Sequence, residues 1–524
     1  MKEMTRSAST RAVRDTAQLL AARLASAAVS VFFSAWLIRL LPTEELAIWP
    51  IALALGGAIE ALSSLGMGDT LLRRVPRELA AGDRAGVAAL LKTAVGLNLI
   101  GCVIFTLLLY TQASWTAETL LRHVDKASLV RTAAFAAFFI ALEARLSWTL
   151  KATQQFSRIA MLDLIMIVSR TPLAALLYLH MGLSGLLAAF AIVPAFGCIM
   201  TLIWTWPYMW ASRRFESPLE LTRFSLPFYG VSLTGFLRGR ASYLVVGWLT
   251  TAEVLAMYFV ASKVSDYIRE FNRYAISAVT PKLSERGATD PEAQSRVFGA
   301  CTRYVFLGLL PLHLGPAVLA RPLVRLYAGS EYTAAATILA ALCIYAYLEV
   351  LYDLHRAHIQ VFAPPAHLFT LQLFSTAVDL GLMIALIRPF GALGAALAKV
   401  ATYAVLTAAG AWALRRTIQL RYDTQALKWA LIAGAGMSAA ALGASQVVGG
   451  AAAGLAVGAA VGAVVYFILL SGRLRARDLD IVAGAMPATI RSNVVGASFG
   501  SFVRNWLIRG RLWGPTARTE DTVA

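Results

Sequence analysis

From about residue 17 to about residue 472 the chain is a succession of apolar runs separated by short polar connections. A helix needs ~20 apolar residues to cross the hydrocarbon core of a bilayer, and its backbone polar groups must be satisfied within the segment itself. This pattern predicts a bundle of transmembrane helices. Fourteen runs have the required length, centred near residues 28, 55, 98, 138, 167, 194, 236, 263, 308, 341, 377, 402, 436 and 461. Only 15% of the residues are charged, against about a quarter in soluble domains. The mean hydropathy is +0.66 over the whole chain. The expected fold class is an all-α polytopic membrane protein with about 14 transmembrane helices, arranged as two pseudo-symmetric six-helix lobes plus two C-terminal helices.

The domain reading follows those runs. Residues 1–15 form a cytoplasmic N-terminal segment. Residues 16–207 hold helices 1–6, 208–415 helices 7–12, 416–472 helices 13 and 14, and 473–524 a basic cytoplasmic tail. The N-terminal stretch lacks a small-residue cleavage site, so a cleaved signal peptide is not expected. A net charge of +18 would point to nucleic acid in a soluble chain. Here it follows the positive-inside rule: with the N-terminus inside, roughly 30 Lys and Arg fall in cytoplasmic segments and about six outside. Connections are short, such as Pro42–Glu45 and Thr250–Glu253, and the longest outside loop runs from Thr111 to Ala127. No GxxxxGK[ST] phosphate loop occurs, so ATP hydrolysis is not expected. Cys102, Cys198, Cys301 and Cys343 all sit in apolar runs and read as core or lipid-facing fillers, with neither a disulfide nor a zinc pattern.

Two short matches repeat at an offset near 205 residues. Leu41-Pro42-Thr43-Glu44-Glu45-Leu46 is echoed by Leu249-Thr250-Thr251-Ala252-Glu253-Val254, and Val75-Pro76-Arg77 by Thr280-Pro281-Lys282. Six helices between copies keep both in the same orientation, which relates the halves by an axis along the membrane normal. In the tail, Phe499, Phe502, Val503, Trp506 and Leu507 recur at helical spacing. They read either as an amphipathic helix on an anionic leaflet or as part of a disordered basic tail.

Ionisable groups inside spans cost several kcal/mol near the centre and face a polar cavity or one another. Lys263, Asp266, Glu270 and Arg273 lie at i, i+3, i+7 and i+10. They line a cavity on one reading and neutralise one another on the other. Arg238 and Arg240 have no acid within a turn, and their i, i+2 spacing sends them to nearly opposite sides of a regular helix. Arginine's planar fork matches phosphate oxygens. With Arg23 in the first helix, these residues predict a cationic cavity suited to a diphosphate; Arg145, Lys263 and Arg273 complete the candidate set. Glu60, Asp163, Asp266 and Asp379 are the candidates for ion coupling. Asp163 and Arg170 share a face, as do Glu349, Asp353 and Arg356. His355 and His358 stand beside Asp353, but no metal site is expected.

The stretch WLIRLLPTEELAIWPIALALGGAIEALSSLGMGDTLLRR resembles the opening of bacterial polysaccharide-biosynthesis flippases of the Wzx type. GWLTTAEVLAMYFVASKVSDYI and the SAVTPKLSE step in the second half are similar to the same family. The resemblance covers about 470 residues. The chain departs from the pattern at Ile48-Trp49, where a glycine usually precedes the aromatic residue. The Lys and Arg distribution puts both termini on the cytoplasmic side, and the resemblance implies alternating access by two rocking lobes in the bacterial inner membrane. It implies an undecaprenyl-diphosphate-linked oligosaccharide as cargo, with coupling to a proton, sodium or the membrane potential and no cofactor. Expected partners are that lipid-linked oligosaccharide, membrane lipids, and assembly proteins such as a polysaccharide polymerase, with no nucleic acid. Three rival readings stay open: a multidrug cation antiporter of the same fold, a membrane glycosyltransferase or polymerase, and a non-transporting scaffold. The antiporter predicts an acidic cavity, the enzyme a large outer loop, and the scaffold arginines turned towards neighbouring acids.

Overall fold

The structure is a computed structural model and describes residues 28–121, 126–286, 291–362, 365–417 and 422–471. Arg23, the 1–15 segment and the tail with its amphipathic pattern lie outside the described residues. The described residues are helical, with no strand among them. Eight helices are long and apolar enough to cross a membrane, or up to nine if the bent pair Phe298–Val318 and Ala320–Ala328 is one span. The chain is a multi-pass membrane protein. Each of the fourteen apolar centres falls in a described helix, and two helices, Phe156–Met209 and Pro365–Thr417, carry two centres each.

Both long helices break at one glycine. Gly182 has φ 59° and ψ −143°, and Gly391 has φ 57° and ψ −138°. Few residues with a Cβ adopt this backbone conformation. Three residues on, a Cβ on Gly185 would sit 2.1 Å from the Leu177 carbonyl oxygen, and one on Gly394 would sit 2.0 Å from that of Leu386. Both pairs stand 209 residues apart (391 − 182 and 394 − 185). The same tight turn is built twice, at an offset matching the sequence repeat.

The opening hairpin turns more sharply than its sequence suggests. Helix Ala28–Leu40 is followed by Leu41-Pro42, and the next helix, Thr43–Ser63, has already begun at Thr43. Proline before the first turn withholds no helical hydrogen bond. Glu44 and Glu45 fall in that first turn, where the helix dipole favours acids. The Thr111–Ala127 stretch is likewise not an open loop: it holds helix Ala113–Thr116 and a π-turn, Ala117–Leu121.

The chain bends at Leu65 and Gly66, which have φ 44° and 71°. A Cβ on Gly66 would stand 2.2 Å from the Ser225 carbonyl, and Ser225 Oγ donates to the Leu65 carbonyl at 2.6 Å. The bend therefore seats helix Pro218–Gly239 against the exit of Thr43–Ser63. Helix Met67–Ala80 buries Met67, Leu71 and Val75 against Leu90, Leu91 and Leu221. Each such side chain contributes roughly 1.5–3 kcal/mol where it leaves water.

By contact density the described residues form two compact units. One holds residues up to Tyr267 with Tyr327–Leu342 and Phe362–Leu406; the other holds Ile268–Leu326, Cys343–Val361 and residues from Thr407 onward. In the second unit, helices Thr424–Val447 and Ala451–Leu470 pack through small residues. Cβ atoms on Gly454 and Gly458 would each sit 2.9 Å from the carbonyls of Ser445 and Ala441. Spacing of four along one helix lets two backbones approach within a membrane. Cys102, Cys198 and Cys343 are buried and Cys301 is half-buried, all as free thiols.

Candidate functional site

Glu60 is the centre of an ionic cluster in the first unit. It projects from helix Thr43–Ser63, one turn beyond Gly57. Its Oε1 accepts from Arg145 Nη2 at 2.7 Å, and its Oε2 from Arg240 Nη1 at 3.4 Å. One carboxylate thus holds two guanidinium groups, leaving an excess of positive charge. Arg145 is the buried partner, with its side chain 10% exposed, while that of Arg240 is 49% exposed. A Cβ on Gly57 would meet Arg240 Cδ at 2.6 Å, so only glycine leaves room for the arginine stem to lie across this helix.

Arg238 and Arg240 diverge as their spacing predicts. Helix Pro218–Gly239 ends between them, and the chain continues as helix Ala241–Leu249. Arg238 donates from Nη2 to the Tyr403 hydroxyl and lies over the Tyr403 ring at 5.3 Å. Lys399 Nζ donates to the Arg238 carbonyl at 3.0 Å and pairs with Asp379 Oδ2 at 3.4 Å. Both Lys399 and Asp379 are buried.

The remaining candidates fall in smaller groups. Lys263 lies 5.5 Å from the centre of the Phe259 ring, one turn from Asp266. Glu270 and Arg273 pair along their own helix. Arg170 lies 5.1 Å from the centre of the Phe190 ring, in the same helix as Asp163. Glu349 takes Arg269 from another helix: Arg269 Nε and Nη2 reach its two oxygens at 2.5 and 2.8 Å, and Tyr345, one turn back on its own helix, adds a hydrogen bond at 3.0 Å. Arg356 pairs with Asp353 at 3.1 Å. His355 Nε2 meets the Tyr422 hydroxyl at 2.8 Å. Among the described residues no group of three or more His, Cys, Asp or Glu could hold a metal.

A hydroxyl cluster escapes sequence reasoning. Ser34 Oγ lies 2.6 Å from Tyr267 Oη and accepts from Tyr327 Oη at 2.8 Å. Arg39 Nε donates to the Tyr327 carbonyl at 3.3 Å. These bonds tie the first described helix to residues more than 230 positions away. Serine and tyrosine in apolar runs carry no local signal for such a contact. Gly57 was not among the residues predicted from the sequence either; its one local signal is the Gly56-Gly57 step a turn before Glu60.

The family model described as polysaccharide biosynthesis protein matches residues 36–337, more than half of the 524-residue chain. The chain belongs to this family. A curated relative of this polysaccharide biosynthesis protein is the probable low-salt glycan biosynthesis flippase Agl15 of Haloferax volcanii, 22% identical over 258 residues. That match covers 48% of this chain and 54% of the relative, so the chain spans about half the length of the relative it matches. Among solved structures, the lipid II flippase MurJ in an inward closed conformation superposes with a TM-score of 0.70. The identity is 13%, over 87% of this chain and 98% of that one. A multidrug resistance MATE family transporter of the MOP superfamily, inward-facing, gives 0.56 at 16% identity, over 75% and 96%. At these identities the likeness shows the fold, which is that of membrane transporters.

Proposed function

We propose that this polysaccharide biosynthesis protein is a flippase. Its cargo is an oligosaccharide on an undecaprenyl-diphosphate carrier, moved across the bacterial inner membrane by alternating access of two six-helix lobes. The family and the transporter fold support a flippase-type transporter. The observation that carries the finer reading is the Glu60 carboxylate shared by Arg145 and a half-exposed Arg240. Glu60 neutralises one guanidinium, and Arg240 is the one exposed to an incoming ligand. A diphosphate brings more negative charge than one carboxylate and accepts the arginine fork bidentately. It would draw Arg240 from Glu60 while Arg145 keeps Glu60 in place. A cation antiporter would instead offer an exposed acid at this position. Arginines turned towards a neighbouring acid are what the scaffold reading predicts too; what favours the flippase is that two guanidinium groups share one carboxylate and that Arg240 is the half-exposed one.

The test is a deletion strain complemented with wild type or Arg240→Ala, with surface polysaccharide and lipid-linked intermediates quantified. Intermediates accumulating inside with little polysaccharide outside, in both the deletion and Arg240→Ala, support the reading. Unchanged surface polysaccharide after complete deletion refutes it for the polymers measured.

A further inference from the structure

The buried pair Asp379–Lys399 is built differently from the Glu60 cluster. The Lys399 ammonium touches two oxygens of different origin: the Asp379 carboxylate at 3.4 Å and the Arg238 main-chain carbonyl at 3.0 Å. That carbonyl lies at the C-terminal end of helix Pro218–Gly239, where the last carbonyls lack intrahelical donors and the dipole is negative. Asp379 Oδ1 is buried and has no hydrogen-bond partner among the described residues. The same holds for Thr402 Oγ1, which stands one turn along the helix from Lys399. Asp379 is 2% exposed and Lys399 5%.

A carboxylate with one oxygen still unpartnered and a helix-terminal carbonyl are donors suited to a hard cation. In transporters, carbonyls at the ends of interrupted helices coordinate monovalent ions. Here the positive charge at that position is a compact ammonium on a four-carbon stem. The two oxygens on the ammonium belong to helix Pro218–Gly239 and to the part of Pro365–Thr417 before the Gly391 break, and Lys399 reaches them from the part after it. Removing the lysine leaves a buried carboxylate that must either take up a proton or find another cation.

We infer that Lys399 is a tethered cation filling an oxygen site that, once the lysine is removed, binds a free monovalent metal ion such as Na+ or K+. Wild-type protein then carries its own counter-ion at Asp379 and takes no free ion there. The inference concerns binding alone and stands whatever the cargo is.

The experiment is thermal unfolding of the purified full-length protein in detergent. NaCl or KCl is titrated against choline chloride at constant ionic strength, for wild type, Lys399→Ala, Lys399→Met, Asp379→Asn and Lys399→Ala/Asp379→Asn. The expected result is a Tm of wild type that does not distinguish Na+ or K+ from choline. Lys399→Ala or Lys399→Met is less stable than wild type in choline and gains several degrees, saturably, with one of the metal ions. The added Asp379→Asn substitution abolishes that gain. Folded Lys399→Ala and Lys399→Met that do not distinguish the metal ions from choline overturn the inference. So does a metal-specific Tm rise in wild type that Asp379→Asn removes, because a free ion would then reach Asp379 with the lysine present. That wild-type arm holds even if neither lysine variant folds.

Discussion

Glu60 and Arg240 stand 180 residues apart in sequence, and their side chains meet at 3.4 Å across the missing Cβ of Gly57. Arg145 completes the cluster from a third helix. The two pairs differ in burial, and that difference orders the predictions.

Glu60→Gln leaves the mostly buried Arg145 without its carboxylate. Losing one partner of a fully buried pair costs about 3–5 kcal/mol, and the 26% exposure of Glu60 puts this pair at or below the lower end. Arg240→Ala removes a half-exposed pair and should cost less than about 1 kcal/mol. Thermal unfolding in detergent should therefore rank Glu60→Gln well below Arg240→Ala. Equal stability of the two variants would contradict the asymmetry.

Gly57→Ala places a methyl group where Arg240 Cδ lies, at 2.6 Å. The arginine stem must move and its contact with Glu60 is lost, while Thr43–Ser63 gains a residue of better helix propensity. Folded protein of near wild-type stability with surface polysaccharide reduced at least about tenfold is the expected outcome. Gel filtration and polysaccharide quantification on the same strain check it.

Gly182→Ala and Gly391→Ala force a Cβ into φ near 58° with strongly negative ψ. Each should destabilise by about 1–3 kcal/mol. Gly185→Ala and Gly394→Ala set a methyl on a backbone carbonyl near 2 Å and should be worse, with expression lost or Tm lowered further. The same ranking should appear in both halves of the chain.

Asp423 has two tasks. Its Oδ1 accepts from Ala426 N at 2.9 Å, capping helix Thr424–Val447, and its Oδ2 pairs with Arg303 at 3.1 Å. Asp423→Asn keeps the cap and loses the charge; Asp423→Ala loses both. The difference between the two variants should be about 1 kcal/mol, the cap's contribution, read from their unfolding midpoints.

Much of this architecture was legible because periodicity and punctuation are local. The apolar runs located the helices, and the acids after Pro42 announced the opening hairpin. Gly182 and Gly391 are visible as glycines, but their equivalence emerges only from matching φ and ψ. The charges behave differently. Glu60 and Asp379 have no partner within a helical turn, and the groups that meet them lie 85, 180 and 20 residues away. Helical spacing predicts which face a side chain occupies, not which helix that face meets. Arg238 and Arg240 show both sides of this. Their divergence follows from spacing and the helix end, whereas Tyr403 for one and Glu60 for the other follow from packing.

The most direct test of the central claim is translocation itself: purified protein in liposomes carrying a fluorescent oligosaccharide on a polyprenyl diphosphate, with outer-leaflet label quenched over time. The account predicts protein-dependent loss of protected label for wild type, slowed about tenfold or more by Arg240→Ala and partly restored by Arg240→Lys. Translocation by Arg240→Ala at the wild-type rate, or none by folded wild-type protein, would contradict it.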